Sequence, residues 1–205
     1  MGRAFRWIAL AGGLLIASLG AAQAAVDAPR AVVEGFYGTL LQVMKQATTL
    51  GFEGRYKTLQ PTIERSFNLP LMVRLAIGPQ WNSLTQDQQK RLLEGFRRFT
   101  IATYASRFDG YEGEYFEIKG EKPGAAGGGT MVETRLVPQN KADIVDLNYL
   151  LRQDEGRWQI IDVFLSGTIS ELATRRAEFT SVLRRDGADG LVVMLERKVA
   201  ELTPR

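Results

Sequence analysis

The chain of 205 residues carries 23 acidic side chains and neither histidine nor cysteine, so any chemistry must come from carboxylates, phenols and hydroxyls. Ser-His-Asp and Cys-His catalysis, histidine proton shuttling and ordinary zinc, haem or iron-sulfur ligation are excluded. Three acidic groupings stand at short spacing: Asp143 with Asp146, Glu112 with Glu114 and Glu117, and Asp186 with Asp189. None has the ligand loop of a calcium hand, so they read as turn and surface residues and no metal is expected. A glycosidase needs two carboxylates set apart by their surroundings, and nothing distinguishes two of the 23 here. The glycine-rich run Gly124 to Gly129 lacks the Lys-Ser/Thr ending and the following helix of a phosphate loop. It reads as a flexible hairpin connection, and no cofactor is expected.

The elements around these residues are strongly apolar. From Ala142 to Gln153 the alternation places Val145, Leu147, Tyr149 and Leu151 on one face of a strand, with Asp146, Asn148 and Arg152 on the other. A second strand, Trp158 to Leu165, is apolar on both faces except at Gln159 and Asp162. Two registers compete for this hairpin. A three-residue loop, Asp154-Glu155-Gly156, sets Leu151, Tyr149 and Leu147 beside Gln159, Ile161 and Val163, with Asp162 opposite Asn148. A two-residue loop sets Asp162 opposite Tyr149 on the apolar face, where a carboxylate would be costly to bury, so the three-residue loop is favoured. Thr168-Ile-Ser-Glu171 has capping-box spacing and predicts a helix that ends at Gly187; Leu191 to Leu202 marks a final helix.

Upstream the pattern is helical. Pro29 opens a helix with an apolar stripe of Val33, Phe36, Tyr37, Leu40, Met44 and Ala47. Short helices follow near Pro61 to Phe67 and Pro70 to Ile77. Thr85-Gln-Asp-Gln88 is a second capping box, opening a long helix with Leu92, Leu93, Phe96, Phe99, Thr100, Thr103 and Tyr104 inward and ending at Asp109-Gly110. Four strands follow, near Gly113 to Lys119, Thr130 to Pro138, Ala142 to Gln153 and Trp158 to Leu165. Short connections make them antiparallel neighbours in an α+β architecture, a four-stranded antiparallel curved sheet with helices packed on one side.

The segments Gly156-Arg-Trp158-Gln-Ile-Ile-Asp162-Val163, Gly167-Thr-Ile-Ser170, Arg176-x-x-Phe179 and Gly187-x-x-Gly190-Leu191 together resemble the MlaC/toluene-tolerance family of periplasmic lipid-binding proteins. Upstream the resemblance continues in Phe67-Asn-Leu-Pro-Leu-Met72, Arg74-Leu-Ala-Ile-Gly78, Trp81 and Phe96-Arg97. Gly51-Phe-Glu-Gly-Arg-Tyr56 and the block from Arg107 to Phe116 are more similar to the branch associated with hopanoid biosynthesis. The resemblance implies an NTF2-like cone with an added helical part, and a carrier that binds a hopanoid or phospholipid. Its implied partners are an inner-membrane lipid transporter and an outer-membrane acceptor.

Ten residues are the candidate lining of a lipid pocket: Leu75, Phe96, Phe99, Tyr104, Val145, Leu147, Tyr149, Leu151, Ile161 and Val163. Each could equally be plain core, while Trp81 and Trp158 read as structural. An NTF2-like cone also hosts isomerase chemistry, with an Asp base and a Tyr donor, for which Asp162 with Tyr149 or Tyr104 is the trio to suspect. The favoured register turns Asp162 away from Tyr149, so no enzyme is expected. A third reading is a periplasmic adaptor that docks on a transporter and carries nothing, with a filled interior.

The N-terminus supports export on physical grounds. Arg3 and Arg6 precede an apolar run of 12 residues from Ile8 to Leu19, and Ala22-Gln-Ala24 has the small-x-small form of a signal-peptidase site. The run is short of the ~20 residues of a spanning helix, although an uncleaved anchor is the competing reading. Residues 25–205 are expected to form one domain. Removing residues 1–24, which hold two Arg and no acid, changes 26 basic and 23 acidic residues to 24 and 23, a mature charge of +1. No basic stripe with interleaved aromatics appears, so nucleic acid is not an expected partner. We expect the exported protein to begin at Ala25. Intact mass spectrometry of protein recovered from the periplasm checks this, and a species retaining Met1 to Ala24 would favour the anchor.

Overall fold

The computed structural model describes residues 28–124 and 128–204. The expected signal segment and the middle of the Gly124 to Gly129 connection lie outside the described residues. Helices come first. Pro29–Lys45 (α1) begins at its proline, and Val33, Phe36 and Leu40 are fully buried on the stripe its spacing predicts. Ala47–Ser66 (α2) is longer than the short helix expected near Pro61. It is broken at Gly51, whose φ of 57° and ψ of −175° are non-helical, so its helical body runs on from there through Pro61. Leu69–Ile77 (α3) is capped by the Asn68 side chain, which accepts from the Leu71 amide. After a 3-10 turn, Gln86–Arg107 (α4) opens with the predicted capping box, Thr85 and Gln88 each bonding the other's backbone amide.

The sheet is an antiparallel meander of five strands rather than four: Tyr115–Pro123 (β1), Thr130–Val137 (β2), Val145–Asp154 (β3), Arg157–Leu165 (β4) and Ile169–Ser170 (β5). The fifth explains why the last helix starts later than the Thr168 capping box suggests. Ile169 pairs with Leu165 and is drawn into the sheet, so Ser170 becomes the cap and accepts from the Ala173 amide. Glu171–Leu202 (α5) follows, with a break at Gly187, where φ is 67° and ψ −169°. The two helices read from the sequence are both present, as two helical segments that meet at the non-helical Gly187.

The register of the β3–β4 hairpin is a correction. The turn has two residues, Glu155 and Gly156, both at positive φ, and Asp154 pairs with Arg157. Turns of this kind match the twist of antiparallel strands. Continued without change, that register would put Asp162 opposite Tyr149. A bulge prevents it: Leu151 faces Ile160, Leu150 faces Asp162, and Ile161 is the extra residue. From there Tyr149 pairs with Val163 and Leu147 with Leu165.

Asp162, only 6% exposed, uses this position to fasten α5 to the sheet. Its carboxylate accepts from the Val163 amide at 2.8 Å, the Leu172 amide at 3.0 Å and the Ser170 hydroxyl at 2.5 Å. On the other side, Phe67 makes a parallel bridge to Ile160 and the Asn68 amide donates to the Ile160 carbonyl. Asn68 also donates from its side chain to Asp154. The helical half therefore covers the part of β4 that the short β5 leaves open. Gly95 of α4 allows close approach of α5, since a Cβ there would meet Leu195 at 3.2 Å.

Burial pushes the Asp162 carboxyl above its ordinary value, against the pull of its three donors. A carboxyl raised in the fold favours the folded state most below pH ~4 and contributes less as pH rises through the folded value. Asp162→Ala leaves those donors unmatched and should cost about 1–3 kcal/mol in urea unfolding. Asp162→Asn keeps an acceptor, should cost less, and should flatten this part of the pH dependence. An alanine variant as stable as the parent would rule out the fastening role. Gly187→Ala, at a conformation almost reserved for glycine, should cost about 1–3 kcal/mol by the same measurement.

Candidate functional site

A cavity of about 280 Å³ lies between the sheet and helices α4 and α5. Seven of the ten candidate residues meet around it: Phe96, Phe99 and Tyr104 from α4, Val145, Leu147 and Tyr149 from β3, and Val163 from β4. Their convergence follows from two periodicities. Positions i, i+3 and i+8 of α4 face the same way, and alternate residues of β3 line one face of the sheet.

The other three candidates lie off the cavity wall. Leu151 continues the β3 face but is fully buried beyond Tyr149, where the interior is closed. Ile161 is displaced by the bulge, and Leu165 provides the wall beyond Val163 in its stead. Leu75 is half-buried because the buried face of α3 runs through Met72, Val73, Ala76 and Ile77, and Met72 is the residue that reaches the cavity.

The wall also includes residues that the sequence reading did not nominate. Phe67, Phe108 and Leu136 extend the apolar lining. Thr100 and Thr103 were placed on the inward side of α4 but not assigned to a site; their hydroxyls donate to the carbonyls of Phe96 and Phe99, which removes their polarity from the helix surface. Arg107, Glu171, Leu172 and Arg175 complete the boundary. Periodicity gave no signal for the charged ones, since an apolar stripe does not mark charges at a helix end.

Polarity is graded along the cavity. At one end Val145 is 40% exposed, Arg107 is exposed, and Arg175 lies against the wall. The Arg175 guanidinium sits 4.7 Å from the centre of the Phe99 ring and bridges Glu171 at 3.3 Å and Glu178 at 3.4 Å. Lys198 joins Glu178 at 2.9 Å, so the Arg175 charge is held in a balanced network. Among the described residues Arg107 enters no ion pair. This end is the mouth.

The inner end is aromatic. Phe36 packs edge-on against Phe67, Tyr104 and Tyr149, and Tyr37 stacks on Phe116 with ring centres 4.0 Å apart. Tyr37 meets Tyr149 edge-on with ring centres 5.6 Å apart, and its hydroxyl hydrogen-bonds that of Thr134. Burial is the first cause of the raised pKa of all three phenols, with Tyr37 pushed up to about 12. They are therefore neutral hydroxyls at any ordinary pH. Asp162 is not part of this cluster: it lies across from Leu150, on the alternate face, with its oxygens engaged by Val163, Ser170 and Leu172. The Asp/Tyr trio of an isomerase is not assembled.

The described residues contain no helix long and apolar enough to cross a membrane, and no group of three or more acidic side chains placed to hold a metal. Among solved structures, the fold is similar to a phospholipid-binding protein from Ralstonia solanacearum, determined in complex with a phospholipid. The TM-score is 0.73 at 22% identity, over 85% of this chain and 98% of that one. The family model for MlaC protein matches residues 35–197, which takes in the whole sheet, helices α2 to α4, most of α1 and α5, and every residue of the cavity wall. This chain belongs to the MlaC family.

Proposed function

We propose that the protein is a periplasmic lipid carrier that holds the apolar body of a hopanoid or phospholipid between the sheet and helices α4 and α5. The observation that carries this reading is the graded cavity, apolar through Phe96, Phe99, Leu147 and Val163 and charged at its mouth. The phospholipid bound by the Ralstonia relative supports the same ligand class. Family membership supports the periplasm as its compartment, with the N-terminal segment as the export signal.

Energetics favour enclosure. At ~0.8 kcal/mol per buried CH₂, a triterpenoid or a pair of acyl chains loses roughly 20 kcal/mol or more on entering water. A surface groove does not compensate for that, whereas a cavity closed by two helices can. Its volume of about 280 Å³ falls just below the span of ligand pockets, about 300–1,000 Å³. Larger cargo has to widen it, and the break at Gly187 gives the first half of α5 a place to bend. The motifs from Gly51 to Tyr56 and from Arg107 to Phe116 favour a hopanoid as the cargo. Exchange with an inner-membrane transporter and an outer-membrane acceptor completes the proposed cycle.

Protein purified without detergent should yield lipid on extraction and mass spectrometry, and should take up hopanoid in preference to phospholipid from mixed vesicles. Leu147→Trp fills the cavity, at a stability cost of about 1–3 kcal/mol, and should abolish the bound lipid while the circular dichroism spectrum is retained. Empty wild-type protein with no uptake of either lipid would sink the carrier reading. Preferential uptake of phospholipid would sink only the hopanoid assignment.

A further inference from the structure

The inner end of the cavity is not purely apolar. Tyr149 is 1% exposed and Phe67 2%, yet both line the cavity, and Tyr104 lines it beside them. Three phenol hydroxyls are thus gathered where a simple container for hydrocarbon needs none. Phenylalanine would pack the same rings without bringing polar atoms into a closed apolar space.

The direction of the hydrogen bonds sharpens the point. A carbonyl only accepts, so the Thr134 hydroxyl donates its proton to the Leu147 carbonyl. Thr134 therefore accepts from Tyr37, whose own proton is used in that contact. Tyr37 is left presenting only lone pairs to its neighbour Tyr149, whose ring it meets edge-on with centres 5.6 Å apart. The donors run in sequence away from the cavity and end on the sheet backbone. At the cavity side, the oxygen lone pairs of Tyr149 and the hydroxyl of Tyr104 remain available, and an alcohol, which both donates and accepts, complements the pair.

We infer that the Tyr104 and Tyr149 hydroxyls form a subsite at the closed end of the cavity for a single alcohol group on an otherwise apolar ligand, with Tyr37 and Thr134 fixing their orientation. The inference rests on the carrier reading and adds to it a selectivity that apolar walls alone do not provide. Hydrophobic walls discriminate weakly between similar apolar ligands, whereas a site built around a hydrogen bond disfavours the analogue that lacks the polar group. Lipids entering with an alcohol foremost would be held in one orientation.

The test compares uptake of a saturated polycyclic alcohol and of its parent hydrocarbon, each doped into phosphatidylcholine vesicles, by mass spectrometry of protein re-isolated from the vesicles. Wild-type protein should favour the alcohol by about tenfold or more. Tyr149→Phe should bring that ratio close to one by lowering uptake of the alcohol, and Tyr104→Phe should lower it in the same direction. Thermal melts establish that each variant is folded, and Tyr104→Phe carries the test if Tyr149→Phe is not. Equal uptake of the two compounds by wild-type protein, or a preference that survives in the folded variants, overturns the subsite and leaves the carrier reading standing. Failure of wild-type protein to take up either compound or the vesicle phospholipid overturns both.

Discussion

One extra residue in a strand governs what the interior of this protein can be. The tight Glu155-Gly156 turn starts the β3–β4 hairpin in a register that would drive the Asp162 carboxylate onto the apolar face opposite Tyr149. The bulge at Ile161 shifts everything beyond it by one position. Val163 and Leu165 then stand opposite Tyr149 and Leu147, and the sheet presents a continuous apolar wall. On the alternate face, Asp162 is free to accept from Ser170 and the first turn of α5. The same displacement thus makes the wall and anchors the helix that closes it.

The helical half is held to the sheet by polar contacts at the ends of elements and by apolar packing between them. Phe67 and Asn68 cover the edge of β4 and start α3. Arg55, buried without a carboxylate partner among its hydrogen bonds, donates to the carbonyls of Ala47 and Ala105, tying the start of α2 to the last turn of α4. That last turn carries Tyr104 and Arg107, one at the inner wall of the cavity and one at its mouth. An arginine fulfils this role by donating from a planar head in two directions while remaining charged, which lysine does not reproduce.

Polarity within the cavity is arranged so that almost nothing is left unmatched. Among the described residues, no buried side-chain nitrogen or oxygen lacks a hydrogen-bond partner. The threonines of α4 donate to their own helix, Arg175 is balanced by Glu171 and Glu178, and Asp162 has three donors. The tyrosine hydroxyls at the inner end and Arg107 at the mouth are the polar groups with capacity to spare. A wall otherwise so well satisfied suits a ligand that is mostly hydrocarbon with polarity at its ends.

Much of this was legible in the amino-acid sequence because it depends on local rules. Period-two alternation placed Leu147 and Tyr149 on one face, the Thr85 capping box located the start of α4, and Pro29 and Gly187 marked a helix start and a helix break. The absence of histidine and cysteine removed whole classes of chemistry before any fold was known. Tertiary structure alone decided the rest. A bulge has no local sequence signal as strong as a turn, since its cost is recovered only when Asp162 meets the end of α5 and Tyr149 meets the helices. Ile169 could open a helix by its spacing, and it joins the sheet because Leu165 is there to pair with it. Nothing in the spacing of Arg107, Glu171 and Arg175 brings them together, and only the convergence of α4 and α5 over the sheet sets them around one cavity. Local preference names the elements, whereas long-range contacts choose among registers and starts that differ locally by little energy.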